Sequence, residues 1–368
     1  MSQPAKIRLA LLYGGRSGEH EVSIASAASV MQAIDHQKYE LLPVYLTPEG
    51  RWLPGAEPLL LQSGASPTHS AALLSSDPQQ RGLLPLSPRA EAQPEWATTL
   101  DVIFPLLHGT YGEDGTVQGL LELADIPYVG AGVLASAASM DKGIMKSLFQ
   151  QSGLPVVPHL VVRRHDWEAD PMGVQDQILR TLSLPLFVKP ANLGSSVGIS
   201  KVKQAAELLD ALDCASQYDR RLLVEQGLDC REFECSVLGN DEPMVSVVGE
   251  VIPHREFYDY QAKYTEGLSD LCIPADIDEA LADTLRRLAL VAFRAVDAAG
   301  LARVDFFVER HSGTPYVNEI NTLPGFTTVS MYPKLWEASG IPYTDLIDRL
   351  VQLALERHED TRRRRTTR

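Results

Sequence analysis

Ala302–Val308 (ARVDFFV) and Pro315–Asn321 (PYVNEIN), with Arg310-His311-Ser312-Gly313-Thr314 between them, decide how this chain is read. Both runs alternate apolar and polar residues, as strands with one buried face do, and the intervening residues have turn composition. With the turn centred on Ser312, Asp305 pairs with Glu319 and Arg303 with Asn321. Side chains alternate faces along a strand, so these four project together while Val304, Phe306 and Ile320 point the other way. Two directly opposed carboxylates repel unless a cation lies between them, and hard oxygen ligands of this kind suit Mg²⁺. A solvated hairpin face with an ordinary cross-strand Arg–carboxylate pair accounts for the same residues equally well.

Immediately upstream, Leu281, Leu285, Leu288, Ala292 and Val296 recur at helical spacing, and Gly300 is placed to close that helix. At the other end of the chain, Ile7 to Tyr13 is a short apolar strand. Gly14-Gly15-Arg16-Ser17-Gly18 breaks it before a helix beginning near Glu19. That turn lacks the G-x-G-x-x-G spacing of a dinucleotide site. Val102 to Leu107 is a second apolar strand, ending in His108-Gly109, and Val117, Leu120, Leu121 and Ala124 follow at helical spacing after Gly115. The first third therefore reads as a doubly wound parallel sheet with functional loops at its strand ends. Residues 48–98, rich in Pro, Ser, Gln and Ala, read as an irregular insertion in it. A helix starts around Met140-Asp141-Lys142, and Leu154–Pro158 punctuates the entry to a second unit whose strands are Leu186–Pro190 and Arg221–Gln226. A third unit starts at about Cys235.

Lys189 ends the strand LPLFVK and leads into Asn192-Leu193-Gly194-Ser195-Ser196-Val197-Gly198. A cation beside a loop of glycine and serine presents N–H and O–H donors to phosphate oxygens, although this is no Walker A sequence. Glu225 and Gln226 end a strand where edge hydrogen bonds could hold a nucleotide base, and Glu232 could accept from ribose hydroxyls; a surface carboxylate is the equally simple reading of each, and neither is diagnostic alone. The loop His108–Gly115 (HGTYGEDG) is dense in glycine, so a small ligand can approach its backbone closely. Glu113 and Asp114 there suit a helix N-terminus, which leaves His108 unexplained. Glu256–Gly267 mixes aromatics and charges without periodicity, as a mobile covering loop does, or a plain surface loop that uses its Tyr rings as local packing.

The bulk figures exclude several classes. A chain of 368 residues with 45% hydrophobic and 22% charged content supports two or three cores. A formal charge of −15 argues against a nucleic-acid surface, and the one basic run, Arg362 to Arg365, lies in a terminal tail. Cys214, Cys230, Cys235 and Cys272 have neither metal-ligand spacing nor a disulfide framework, which points to reduced thiols and the cytoplasm. The apolar run near the N-terminus is too short for a signal peptide, and no stretch approaches the ~20 apolar residues of a membrane span.

Eight segments in order resemble the D-alanine:D-alanine ligases, a family of the ATP-grasp fold. They are GGRSGEHEVS (14–23), HGTYGEDGTVQG (108–119), SMDK (139–142), VKPANLGSSVGISKV (188–202), VEQGLDCREFECSVLGN (224–240), FYDYQAKY (257–264), ARVDFF (302–307) and NEINTLPGFTTVSMYPKLW (318–336). The resemblance implies an α/β chain: an N-terminal domain over 1–141, central and C-terminal ATP-grasp domains of α+β type over 142–235 and 236–360, and a tail over 361–368. It implies that Lys142 and Lys189 hold ATP phosphates, with Ser195 and Ser196 in the closing loop and Lys263 reaching the transferred phosphate. Glu225, Gln226, Leu228 and Phe257 would meet the nucleotide, and Glu232 its ribose. Asp305, Glu319 and Asn321 would bind two Mg²⁺ ions, for which Mn²⁺ is a substitute. Arg303 and the Gly325 backbone would stabilise an oxyanion. Glu19 would anchor the ammonium of the first D-alanine and His108 would lie near its carboxylate, while Ser330 and Met331 hold the second. Hydrogen bonds among Tyr264, Glu19 and Ser195 would tie the covering loop over the site.

The activity so implied is ATP-dependent formation of D-alanyl-D-alanine through an acyl phosphate, for peptidoglycan synthesis, by a cytoplasmic homodimer. A D-alanine:D-lactate ligase resembles the ATP half but differs in the covering loop. A non-catalytic scaffold of the same fold would be expected to lack Lys189, Arg303, Asp305 or Glu319, and all four are present.

Overall fold

The computed structural model describes residues 5–64, 70–86, 96–97, 99–194, 197–253 and 269–365. Its first sheet is built on β1 (Ile7–Gly14), β2 (Tyr39–Leu46), β3 (Trp52–Pro54), β4 (Ala72–Leu74), β5 (Leu83–Pro85) and β6 (Val102–Pro105), in the order β5-β4-β3-β2-β1-β6. β1 runs parallel to β2 and β6, as an apolar strand buried on both faces should. Leu9, Leu11 and Tyr13 face one core with Ile24, Ala27 and Val30 of the helix His20–Ala33. Ala10 and Leu12 face another with Val117 and Leu121.

Two expectations are corrected here. The sheet is parallel across β2-β1-β6 alone, since β3, β4 and β5 add antiparallel strands. These strands lie within 48–98, so that segment is not wholly irregular. The physical reason is the connection: Thr47 to Arg51 forms a tight turn, with Thr47 N donating to Arg51 O at 2.9 Å. A link that short joins antiparallel strands, whereas a parallel pair needs a crossover of a dozen residues or so.

The second sheet comprises β7 (His159–Arg163), β8 (Leu186–Pro190), β9 (Ser200–Val202) and β10 (Arg221–Gln226), in the order β7-β10-β8-β9 with every pair antiparallel. The third comprises β11 (Cys230–Gly239), β12 (Met244–Pro253), β13 (Ser269–Cys272), β14 (Gly300–Glu309) and β15 (Pro315–Asn321), in the order β13-β12-β11-β14-β15. The helix Glu279–Ala295 covers one face of this sheet through Leu285, Leu288, Ala292 and Phe293. It ends at Ala295 and not at Gly300, because Asp297 adopts the left-handed conformation (φ 58°); Gly300 instead opens β14.

The hairpin pairs Arg303 with Asn321 and Asp305 with Glu319, as the alternation predicts. Its register nevertheless shifts midway: Phe306 pairs with Val317, which leaves Asn318 as an extra residue. The turn is therefore centred half a residue before Ser312, and the bulge restores the pairing at the end that carries charge. Val304, Phe306 and Ile320 are buried on the opposite face, against the helix Glu279–Ala295.

The helix Lys142–Gln151 bridges two sheets. The Asp141 side chain caps it, accepting from Gly143 N and Ile144 N at 3.0 Å each, and ion-pairs with Arg221 of β10 at 2.7 Å. Its Met145 and Phe149 are buried in the core of the third sheet. The last helix, Tyr343–Arg362, returns to the first sheet, where Leu346, Ile347, Leu350 and Val351 are fully buried beside Leu9 and Leu11.

Candidate active site

A cavity of about 1240 Å³ lies where the three sheets meet. That is ample for a ligand larger than a drug-sized molecule. Glu19 and His108 line it from the first sheet, Lys142, Lys189, Glu225 and Gln226 from the second and its bridging helix. Leu228, Glu232, Arg303, Glu319, Asn321, Gly325, Ser330 and Met331 line it from the third sheet and the segment that follows. Asp305 lies in a small adjoining pocket with Glu232, Glu234 and Glu319. Ser195, Ser196, Phe257, Lys263 and Tyr264 lie outside the described residues.

On the second-sheet wall, β8 and β10 run antiparallel, and the buried Glu225 carboxylate is held by two lysines. Lys189 grips Oε2, while Lys146 lies 2.6 Å from Oε1 with its side chain 1% exposed. Burial alone would raise the Glu225 pKa, but Lys146 and then Lys189 outweigh it and hold the carboxyl at about 2. Burial likewise pulls Lys189 down, and Glu225 more than offsets this, so its pKa is raised. Both groups are charged at neutral pH. Lys142 donates from Nζ to Leu193 O at 2.8 Å and from its backbone N to Ala191 O at 2.9 Å, which fixes the start of the glycine loop. The Gln226 side chain accepts from Ser183 N at 3.4 Å.

On the hairpin wall, Arg303 donates to both oxygens of Asp305 at 2.7 Å and lies 2.9 Å from Glu234. Asn321 Nδ2 donates to Asp305 Oδ2 at 3.1 Å. Desolvation would lower the guanidinium pKa, yet Asp305 and Glu234 raise it well above its usual range. Arg303, two residues away on the same strand, thus supplies positive charge to Asp305. Among the described residues no three His, Cys, Asp or Glu side chains form a ready metal cluster.

At the third end, Glu19 is 9% exposed and stands at the N-terminus of the helix His20–Ala33. A Cβ at Gly109 (φ +73°) would come 2.8 Å from Glu19 Oε2, and one at Gly194 3.2 Å from it, so two glycines let backbone close around this carboxylate. Glu113 Oε2 accepts from Gly109 N at 2.6 Å. Burial, then repulsion from Glu19, drives the Glu113 pKa well above the usual carboxylate range. Both ring nitrogens of His108 are engaged by protein, Nδ1 with Leu323 O at 3.1 Å and Nε2 with Ser26 Oγ at 3.0 Å. His108 therefore ties the segment before Gly325 to the first helix. Ser330 Oγ accepts from Thr327 N at 3.0 Å, and a Cβ at Gly325 would sit 3.0 Å from that oxygen.

The family described as D-ala D-ala ligase N-terminus matches residues 8–131, and that described as D-ala D-ala ligase C-terminus matches 148–352. The chain belongs to the D-alanine–D-alanine ligase family. It is 51% identical over 364 residues to the D-alanine–D-alanine ligase of Heliobacterium modesticaldum, covering 99% of this chain and 98% of that one. With the Geobacillus kaustophilus enzyme of the same name it shares 49% over 360 residues, covering 96% of each. The solved D-alanine-D-alanine ligase of Coxiella burnetii superposes with a TM-score of 0.83 at 36% identity, covering 97% of this chain and 96% of that one. The VanG D-Ala:D-Ser ligase of Enterococcus faecalis superposes with 0.84 at 33%, covering 95% and 100%. The fold alone thus does not separate ligases by their second substrate, whereas relatives near half identity bear the dipeptide-forming name.

Within this D-alanine–D-alanine ligase family member, three residues of the site escaped the sequence reading. Lys146 lies four residues after Lys142, a spacing that puts both on one helix face. Glu234 shares the alternation of Glu232 on β11 and pairs in register with Asp305. Glu113 suits a helix N-terminus by its place in the sequence, yet its carboxylate receives Gly109 N beside Glu19.

Proposed function

We propose that this chain joins two molecules of D-alanine to D-alanyl-D-alanine, with cleavage of ATP to ADP and phosphate. The observation that carries the reading is the convergence on one cavity of Lys142 and Lys189 from one wall with Arg303, Glu319 and Asn321 from the other. Two lysines face an arginine, a carboxylate and an amide across a space of the right size, which suits a triphosphate and its counter-ions.

The chemistry follows from the charges. A carboxylate is a poor electrophile, so an oxygen of the first D-alanine attacks the γ-phosphorus and ADP departs, leaving an acyl phosphate. Lys142 and Lys189 neutralise phosphate charge during that transfer. Asp305, Glu319 and Asn321 offer hard oxygen donors on one hairpin face, a donor set that fits Mg²⁺. When bound, that ion offsets charge on the phosphoryl oxygens. The amine of the second D-alanine then attacks the activated carbonyl, and expulsion of phosphate closes the peptide bond. Arg303, with the Gly325 backbone, faces the oxygen that becomes negative in that step. Glu19 holds the first ammonium, and Ser330 and Met331 border the place of the second D-alanine. Ser195, Ser196, Phe257, Lys263 and Tyr264 complete this reading as nucleotide-binding and covering residues that keep water from the acyl phosphate.

The same reading takes the protein to be a cytoplasmic homodimer serving peptidoglycan synthesis; no helix among the described residues is long and apolar enough to cross a membrane. The test is phosphate release from ATP and Mg²⁺ with and without D-alanine. Release that depends on D-alanine is expected, and release indifferent to it would overturn the proposal.

A further inference from the structure

We infer that Lys146 is a positioning residue for nucleotide binding, which keeps Glu225 compensated so that Lys189 is released to the phosphates of ATP. The inference rests on the functional reading above and assigns a role to a cation outside the cavity wall. Lys146 is 1% exposed, its Nζ lies 2.6 Å from Glu225 Oε1, and it donates to Asn318 O at 3.1 Å. Lys189 holds the other carboxylate oxygen and, unlike Lys146, lines the cavity.

Two ammonium groups share one buried carboxylate, leaving a net charge of one positive unit. Were Lys189 alone with Glu225, moving to a phosphate would strand a buried carboxylate without a counter-charge, a costly arrangement. Lys189 would then be locked in a neutral pair. Lys146 removes that lock, because Glu225 remains paired whichever way Lys189 turns.

Lys146 is itself held in place. It belongs to the helix Lys142–Gln151, whose Met145 and Phe149 are buried in the third core. Its second acceptor, Asn318, is the extra residue of the hairpin bulge, next to Glu319. One buried ammonium therefore joins the nucleotide wall to the hairpin. The Glu225 carboxyl, held at about 2, stays ionised throughout the physiological range.

Calorimetric titration of ADP with Mg²⁺ into the wild type, Lys146→Met, Glu225→Gln and the double variant tests this. Lys146→Met is expected to weaken ADP binding about tenfold, because Glu225 then claims Lys189 for itself. In the Glu225→Gln background the same substitution is expected to change affinity by less than about twofold, since no carboxylate remains to capture Lys189. In steady state the KM for ATP rises more than kcat falls. A Lys146→Met protein with unaltered affinity overturns the inference, as does a loss of equal size in both backgrounds, which marks a merely structural lysine. Should Lys146→Met fail to fold, Lys146→Gln carries the same cycle while keeping a donor for Asn318 O. Binding is read without turnover, so a protein that binds ADP yet forms no dipeptide contradicts the functional reading and leaves this cycle interpretable.

Discussion

At the scale of single residues, the site is a set of buried and half-buried charges that compensate one another: Arg303 with Asp305 and Glu234, Glu225 with Lys146 and Lys189. Glu319 differs in role, standing opposite Asp305 on the cavity wall. Glu319→Gln is expected to lower kcat by about a hundredfold or more while altering nucleotide affinity far less, because phosphoryl charge develops chiefly in the transition state. Near-normal turnover at saturating Mg²⁺ would contradict that role. His108 supplies a pH prediction. Burial, its largest influence, pushes its pKa below 6.5 against the pull of Glu19. The folded state then binds fewer protons than the unfolded chain, so stability is present above the ordinary value and is lost as pH falls from 6.5 toward the lowered one. Urea unfolding across that window should show a pH slope that His108→Gln flattens, and identical slopes would refute it. Lys189 and Glu319 were legible in sequence because a strand end and a period-2 pattern mark them. Lys146 was not, since helical spacing reveals a face without naming the neighbour that meets it.

At the scale of elements, the hairpin was readable almost to the residue, because a one-residue slip would have put Arg303 and Asp305 into the core in place of Val304. The bulge at Asn318 was not readable, since no local residue type announces it. The strands within 48–98 were missed for a related reason: each has three residues, too few to establish a period. The helix Lys142–Gln151 offers the sharpest test at this scale. Asp141 caps it and pairs with Arg221, joining the helix to β10. Asp141→Ala is expected to cost about 1–2 kcal/mol of stability by denaturant titration. An unchanged midpoint and slope would show that neither contact matters to the fold.

At the scale of the whole molecule, three sheets converge on one cavity, and the motifs that line it come from segments as far apart as Glu19 and Met331. Their order along the chain made the family legible, while the return of the final helix to the first sheet was not, because amphipathicity names a buried face and not its partner. That helix buries Leu346, Ile347, Leu350 and Val351 completely. At about 1.5–3 kcal/mol for each such side chain, its loss approaches the whole stability of an ordinary domain. A chain ending at Ile341 is accordingly expected to lack a cooperative unfolding transition by circular dichroism, and a cooperative one would contradict the packing described. The central claim concerns the product. With ATP, Mg²⁺ and D-alanine in competition with equal D-lactate and D-serine at neutral pH, mass spectrometry should find chiefly D-alanyl-D-alanine, with one phosphate released per dipeptide; a predominance of the D-lactate ester or the D-serine dipeptide would contradict it.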